Sequence, residues 1–150
     1  MKLELVTPFG IKRSEEIYEV VLPTASGEIT VLPGHEPLVT LLVPGVMTVR
    51  YKKTDPADAR EVIAVSKGIA EISGDTISIL TNEAETGDEI VENEAKAALE
   101  RAQKMKAEAK DEVELEKAQE LLQRQTTRLK VAELQRRHHK RTTPRVTSNE

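Results

Sequence analysis

The 150-residue chain contains no cysteine and no tryptophan, and its aromatic residues are only Phe9, Tyr18 and Tyr51. Without cysteine there are no disulfides, no thiolate metal sites and no cysteine nucleophile. Three dispersed rings cannot form the stacking platforms that single-stranded nucleic acids need, so nucleic acid is not an expected partner. Nowhere do the roughly eighteen consecutive apolar residues of a membrane span occur, and Glu4 interrupts the start where a signal peptide would run apolar. A soluble chain with no membrane span of its own is the expectation. Of the three histidines, His138 and His139 are adjacent near the C-terminus and His35 has no nucleophile near it in sequence. That spacing suggests neither a metal site nor a catalytic constellation, and neither a metal nor another cofactor is expected.

What is present divides the chain in two. From Leu3 to about Thr81, short runs rich in Val, Ile, Leu and Thr are broken by Gly, Pro, Asn and Asp, the pattern of an all-β domain. Eight strands are predicted: Lys2 to Val6, Glu15 to Leu22, Ile29 to Leu32, Leu38 to Leu42, Val46 to Tyr51, Glu61 to Ser66, Ile69 to Ser73 and Thr76 to Leu80. Ile77 and Ile79 alternate with Thr76 and Ser78, so that strand is half buried in a sandwich or barrel. Gly27, Gly34, Gly45 and Gly68 are assigned to turns, and Lys52 to Arg60 to a polar hairpin tip.

After Asn82 the composition shifts to Ala, Glu, Lys, Gln and Arg, with neither Pro nor Gly between Asp88 and Thr143. Thr86-Gly87-Asp88-Glu89 fits a capping box, which would start a first helix. Its apolar seam is Val91, Ala95, Ala98, Ala102, Met105 and Ala109; after a second box at Asp111 to Glu114 comes the seam Leu115, Ala118, Leu122, Gln125, Leu129 and Ala132. Two matching seams joined tightly make an antiparallel helical hairpin. A largely alanine seam buries little area at about 25 cal/mol per Å², so a loosely held hairpin is expected. The predicted organisation is a β-sandwich over 1–85, a hairpin over 86–137 and a disordered basic and polar tail over 138–150. The net charge of −4 is unevenly spread, with acids crowding Glu83 to Glu94 and bases crowding Arg136 to Arg145. Lys117, Arg124 and Arg128 share one face of the second helix, a spacing that usually marks a solvated face.

Four stretches, Val6-Thr7-Pro8-Phe9-Gly10, Gly27-Glu28-Ile29-Thr30-Val31-Leu32-Pro33-Gly34-His35-Glu36-Pro37-Leu38, Ser66-Lys67-Gly68-Ile69-Ala70-Glu71-Ile72 and Leu129-Lys130-Val131-Ala132, resemble the epsilon subunit family of the F-type rotary ATP synthase. The Gly-Glu to His-x-Pro-Leu stretch is the specific part. The resemblance spans roughly residues 2 to 135 and implies a sandwich of about ten strands followed by the hairpin. It implies a non-catalytic subunit of the central stalk, in a proton-translocating complex, with sodium coupling left open by the residues. The implied partners are the gamma subunit, the c-ring and the catalytic alpha and beta subunits, at the cytoplasmic face of a bacterial membrane or, alternatively, in a plastid. The implied hairpin either lies on the sandwich or extends and obstructs ATP hydrolysis.

Carried over residue by residue, the resemblance points Glu28 and His35 toward the gamma and c-ring side, although His35 serves equally well as a turn residue. It suggests that Arg124 and Arg128 meet an acidic segment of the catalytic subunits when the hairpin extends. The nucleotide motif of some family members is broken here, because Val91 replaces its acid and Glu94 its arginine, so nucleotide binding is not expected. Two other readings compete. One is a β-domain adaptor that dimerises through a coiled-coil arm; the other is an enzyme using acids such as Glu28, Glu36 and Glu71.

Overall fold

The computed structural model describes residues 1–142, with side chains to His138. Ten strands form one hydrogen-bonded sheet that folds on itself as a sandwich: β1 (Lys2–Thr7), β2 (Gly10–Glu16), β3 (Glu19–Thr24), β4 (Gly27–Val31), β5 (Leu38–Leu42), β6 (Gly45–Arg50), β7 (Glu61–Val65), β8 (Gly68–Ser73), β9 (Thr76–Thr81) and β10 (Ala84–Thr86). The order is β10-β7-β6-β3-β5-β8-β9-β1-β2, with β4 paired to β3. All pairs are antiparallel except β1 with β9. Inward-facing Leu3, Leu5, Val20, Leu22, Val31, Met47, Val49, Ile63, Ile72, Ile77 and Ile79 make the core.

The strand predicted over Glu15 to Leu22 is two strands, because the chain breaks at Ile17 and Tyr18 and sends β3 across to pair with β4 and β6. The predicted turn glycines also divide. Gly27 and Gly34 have φ of 113° and 85°, conformations that favour glycine. Gly45 and Gly68 instead begin strands, where the requirement is space: a Cβ on Gly68 would lie 2.1 Å from the carbonyl oxygen of Leu80. Lys52 to Arg60 is the irregular tip between β6 and β7, closed where Asp55 accepts the backbone N–H of Lys52 at 2.9 Å.

The helical part is α1 (Glu92–Glu108) and α2 (Glu112–Thr142), packed against each other. The first predicted capping box does not start α1. Thr86 closes β10, and Glu89 turns back to accept its backbone N–H at 2.8 Å; the helix begins at Glu92 with Val91 as a cap lacking any side-chain bond. Lys12 at 2.7 Å from Glu89 anchors this turn to β2, which makes it a tether and not a helix start. The second box forms, with the Glu114 N–H donating to Asp111 at 2.8 Å. Its glutamate reaches one residue further back than expected, accepting the Lys110 N–H at 2.9 Å. Ala95, Ala102, Ala118, Gln125 and Ala132 are buried along the seams, whereas Val91 and Met105 of the first are exposed. Helix α2 continues to Thr142, so the expected tail start at 138 lies inside the helix. The remainder of that tail, 143–150, lies outside the described residues.

Candidate docking surfaces

The outer face of the sheet departs from the rule that one side of a half-buried sheet is polar. Leu41 is registered with Ile69, Ile69 with Leu80, Leu80 with Val6, and Val6 with Ile11. These five neighbours cross β5, β8, β9, β1 and β2, a row about 19 Å long at the usual strand spacing of roughly 4.8 Å. Leu41, Leu80 and Ile11 are 63%, 56% and 72% exposed, and Phe9 at the β1–β2 turn is 95% exposed. Scattered apolar residues need no explanation, but a registered row across five strands is a candidate interaction surface. The sequence reading missed it. The signal was present: Leu80 sits in the outward phase set by Thr76 and Ser78, where alternation asks for a polar residue.

The second surface is the seam between hairpin and sandwich. Val62 and Ala64 of β7 pack with Ile90, Ala95, Val131 and Ala132 in a small cluster separate from the main core. Beside it, the helix face expected to be solvated turns toward the sandwich. The Nε of Arg124 lies 2.7 Å from Glu83, and that of Arg128 lies 2.6 Å from Glu85. Arg128 also donates through Nη1 to the side-chain oxygen of buried Gln125 at 2.8 Å. Lys67 pairs with Glu120, and Arg136 with Glu92 at 3.1 Å. The acids come to the right place because the turns 66–67 and 82–83 are clamped together. Ser66 Oγ accepts the Glu83 N–H at 2.9 Å, and buried Thr81 Oγ1 lies within hydrogen-bond reach of the carbonyls of Ser66, Lys67 and Glu83. The acidic block seen in the sequence thus meets Arg124, Arg128 and Arg136 of α2 in space; this pairing was not foreseen.

Exposure decides which pairs matter. Lys67 and Glu120 are both well over half exposed, and such pairs are worth about 0–1 kcal/mol. Arg128 is 15% exposed and makes three bonds, so it is the firmest polar attachment of the hairpin.

Of the residues expected to face partners, Arg124 and Arg128 lie in this seam, whereas Glu28 and His35 are placed apart from it. Glu28 is exposed on β4 beside the β3–β4 turn, opposite Pro23. His35 is half buried in the loop beyond the other end of β4, its N–H donating to the Leu32 carbonyl at 3.1 Å and its Nδ1 2.7 Å from the Glu36 carbonyl. The structure therefore does not bring Glu28 and His35 together. Val91 and Glu94 are exposed near the start of α1. Burial pushes the Glu89 carboxyl up, but the Lys12 ammonium and the Thr86 backbone N–H outweigh it and hold it below its ordinary value of 4.5. Burial followed by the hydrogen bond to Glu61 pushes the Tyr51 phenol well above its usual range. Among the described residues no group of three or more His, Cys, Asp or Glu is arranged to hold a metal ion, and no helix is long and apolar enough to cross a membrane.

Comparison with known proteins reaches both halves of the chain. Residues 1–87 match the family model of the ATP synthase delta/epsilon chain β-sandwich domain. The ATP synthase epsilon chain of Syntrophobacter fumaroxidans is 42% identical over 133 residues, covering 89% of this chain and 96% of the relative. That of Gloeobacter violaceus is 36% identical, covering 88% and 96%. Among solved structures, a chain of the Euglena gracilis mitochondrial ATP synthase, from a structure of its OSCP, F1 and c-ring, aligns with a TM-score of 0.73 at 26% identity, over 87% of this chain and 79% of that one. A chain from the central stalk and c-ring of the Tetrahymena thermophila mitochondrial enzyme shares the fold at 14% identity, with a TM-score of 0.54 over 95% and 96%.

Proposed function

Since the chain belongs to the family of ATP synthase epsilon chains, we propose that it is a non-catalytic central-stalk subunit whose sandwich joins the gamma subunit to the c-ring and whose hairpin restrains ATP hydrolysis. The observation that carries the docking role is the apolar row from Leu41 to Ile11, which is too continuous for a free surface and suits a permanent partner. That row is assigned to gamma, while Glu28, exposed at a turn, meets the polar loops of the c-ring and His35 holds the adjoining loop in shape. The complex that results sits on the cytoplasmic face of an ion-translocating membrane assembly.

For the hairpin, the supporting observation is that Arg124 and Arg128 are occupied by Glu83 and Glu85. Extension would release both cations to meet acids on the catalytic subunits, exchanging one set of ion pairs for another at small net cost. The coiled-coil arm reading loses support, because the apolar seams of α1 and α2 are used against each other and the sandwich.

The test is capture of the host's gamma subunit and catalytic complex by full-length chain and by residues 1–85. Capture by both supports sandwich docking, and capture by neither overturns it. Deleting residues 88–150 should raise the ATPase rate of the assembled complex, and an unchanged rate removes the restraining role.

A further inference from the structure

A cavity of about 410 Å³ opens in the seam, with walls from both halves of the chain. Pro44 and Ala64 of the sandwich face Met105 of α1 and Leu121 of α2 across it. Around this apolar floor stand the three ion pairs Lys67–Glu120, Arg124–Glu83 and Arg128–Glu85, plus Lys117. Four cations against three acids leave one positive charge over. Each acid already has its cation, and Lys117 is the rim cation that no acid of the described residues pairs with. The volume is within the range of small-molecule sites, roughly 300–1,000 Å³, in which an apolar lining supplies affinity and few polar groups set orientation.

We propose that this cavity binds a free medium-chain carboxylate, its acyl chain on the floor between Ala64 and Leu121 and its carboxylate on the Lys117 ammonium. Complementarity selects this class: the floor asks for an aliphatic chain, and a net charge of one on the rim asks for a monoanion. A polyanion would have to break existing arginine pairs, and a cation would meet Lys117. Since the walls belong to both halves, an occupant adds apolar contact only while the hairpin is docked, and so favours the docked form by mass action.

The probe is sodium decanoate below its micelle threshold, titrated calorimetrically into the full chain. One saturable site is expected, with affinity reduced roughly tenfold or more in Lys117→Glu, as loss of a charge-assisted bond implies. Met105→Trp, which fills the cavity from an exposed wall, should also abolish binding, and decyltrimethylammonium should not compete. Decanoate should slow proteolysis at the turn between α1 and α2. Non-saturable uptake that is the same in Lys117→Glu would mean partition onto the exposed apolar row and overturns the assignment. So does saturable binding of ATP with none of decanoate, or capture of the chain by phosphatidylglycerol vesicles without a decanoate site.

Discussion

At the scale of single residues, position 68 shows how a small side chain fixes a fold without any turn. Gly68 pairs with Thr81 and with Leu42 at the crowded end of the sandwich, and a Cβ there would lie 2.1 Å from the Leu80 oxygen and 2.9 Å from the Thr81 Cα. Backbone cannot move aside as a flexible side chain could, so Gly68→Ala should cost about 1–3 kcal/mol by overpacking, read as a lowered thermal midpoint. A second residue prediction separates a firm ion pair from an ornamental one. Arg128→Ala removes a low-exposure bidentate contact to Glu85 and leaves buried Gln125 without its donor, which should weaken hairpin docking by about 1–2 kcal/mol. Lys67→Ala removes an exposed pair and should change docking by less than about 0.5 kcal/mol. Amide exchange of α2 measures both; equal effects would contradict the exposure argument. Glu89 supplies a pH prediction. Its carboxyl is held below the ordinary 4.5, so its contribution is present above that pH and is lost as the pH falls through the lower folded value. With a side chain 45% exposed the contribution is small, but Glu89→Gln should flatten the loss of thermal stability between neutral pH and the acid limb.

At the scale of elements, the outer row and the hairpin make different demands. Leu41 and Leu80 contribute nothing to the core, since their inward neighbours Leu42 and Ile79 do that. Leu41→Asp with Leu80→Asp should therefore leave the melting curve nearly unchanged, within about 0.5 kcal/mol for each exposed site, while abolishing capture of gamma. Retained capture would locate the interface elsewhere. How much of this was legible beforehand follows from what each element rests on. Strands such as Thr76 to Leu80 declare themselves through alternation, and α2 through helix-forming composition and the Asp111 box. The break at Ile17 and Tyr18 was hidden because both flanks are strand and only sheet pairing separates them. The Thr86 box misled because local sequence cannot show that Lys12, far away on β2, also binds Glu89 and ties this turn to the sandwich. Val131, fully buried against β7, falls outside the seam between helices and was legible only as a family-like residue. The seam arginines were seen, but their partners Glu83 and Glu85 could be assigned only once the clamped turns were in place.

At the scale of the whole molecule, the question is whether charge or burial holds the two halves together, because that sets how the hairpin can be released. Three ion pairs bridge the halves at the cavity, but only Arg128–Glu85 is substantially shielded. The apolar side is a six-residue cluster in which Val131 is fully buried and the alanines contribute little area each. Truncating Val131 to alanine should cost about 2 kcal/mol of docking through lost transfer and the cavity left behind. That cost is not electrostatic, so it should be the same at low and high salt. Raising ionic strength from about 0.01 M to 1 M shortens the screening length from about 30 Å to 3 Å and should loosen the wild-type hairpin by no more than about 1 kcal/mol. Amide exchange of α2 in both proteins at both salt concentrations separates the contributions. Docking lost in wild type at high salt would make the hairpin a charge-held arm. The expected result, a small salt effect and a large constant Val131 effect, makes it an apolar latch whose ion pairs set register, and such a latch would be released by a partner that competes for the apolar cluster, not by the ionic conditions around it.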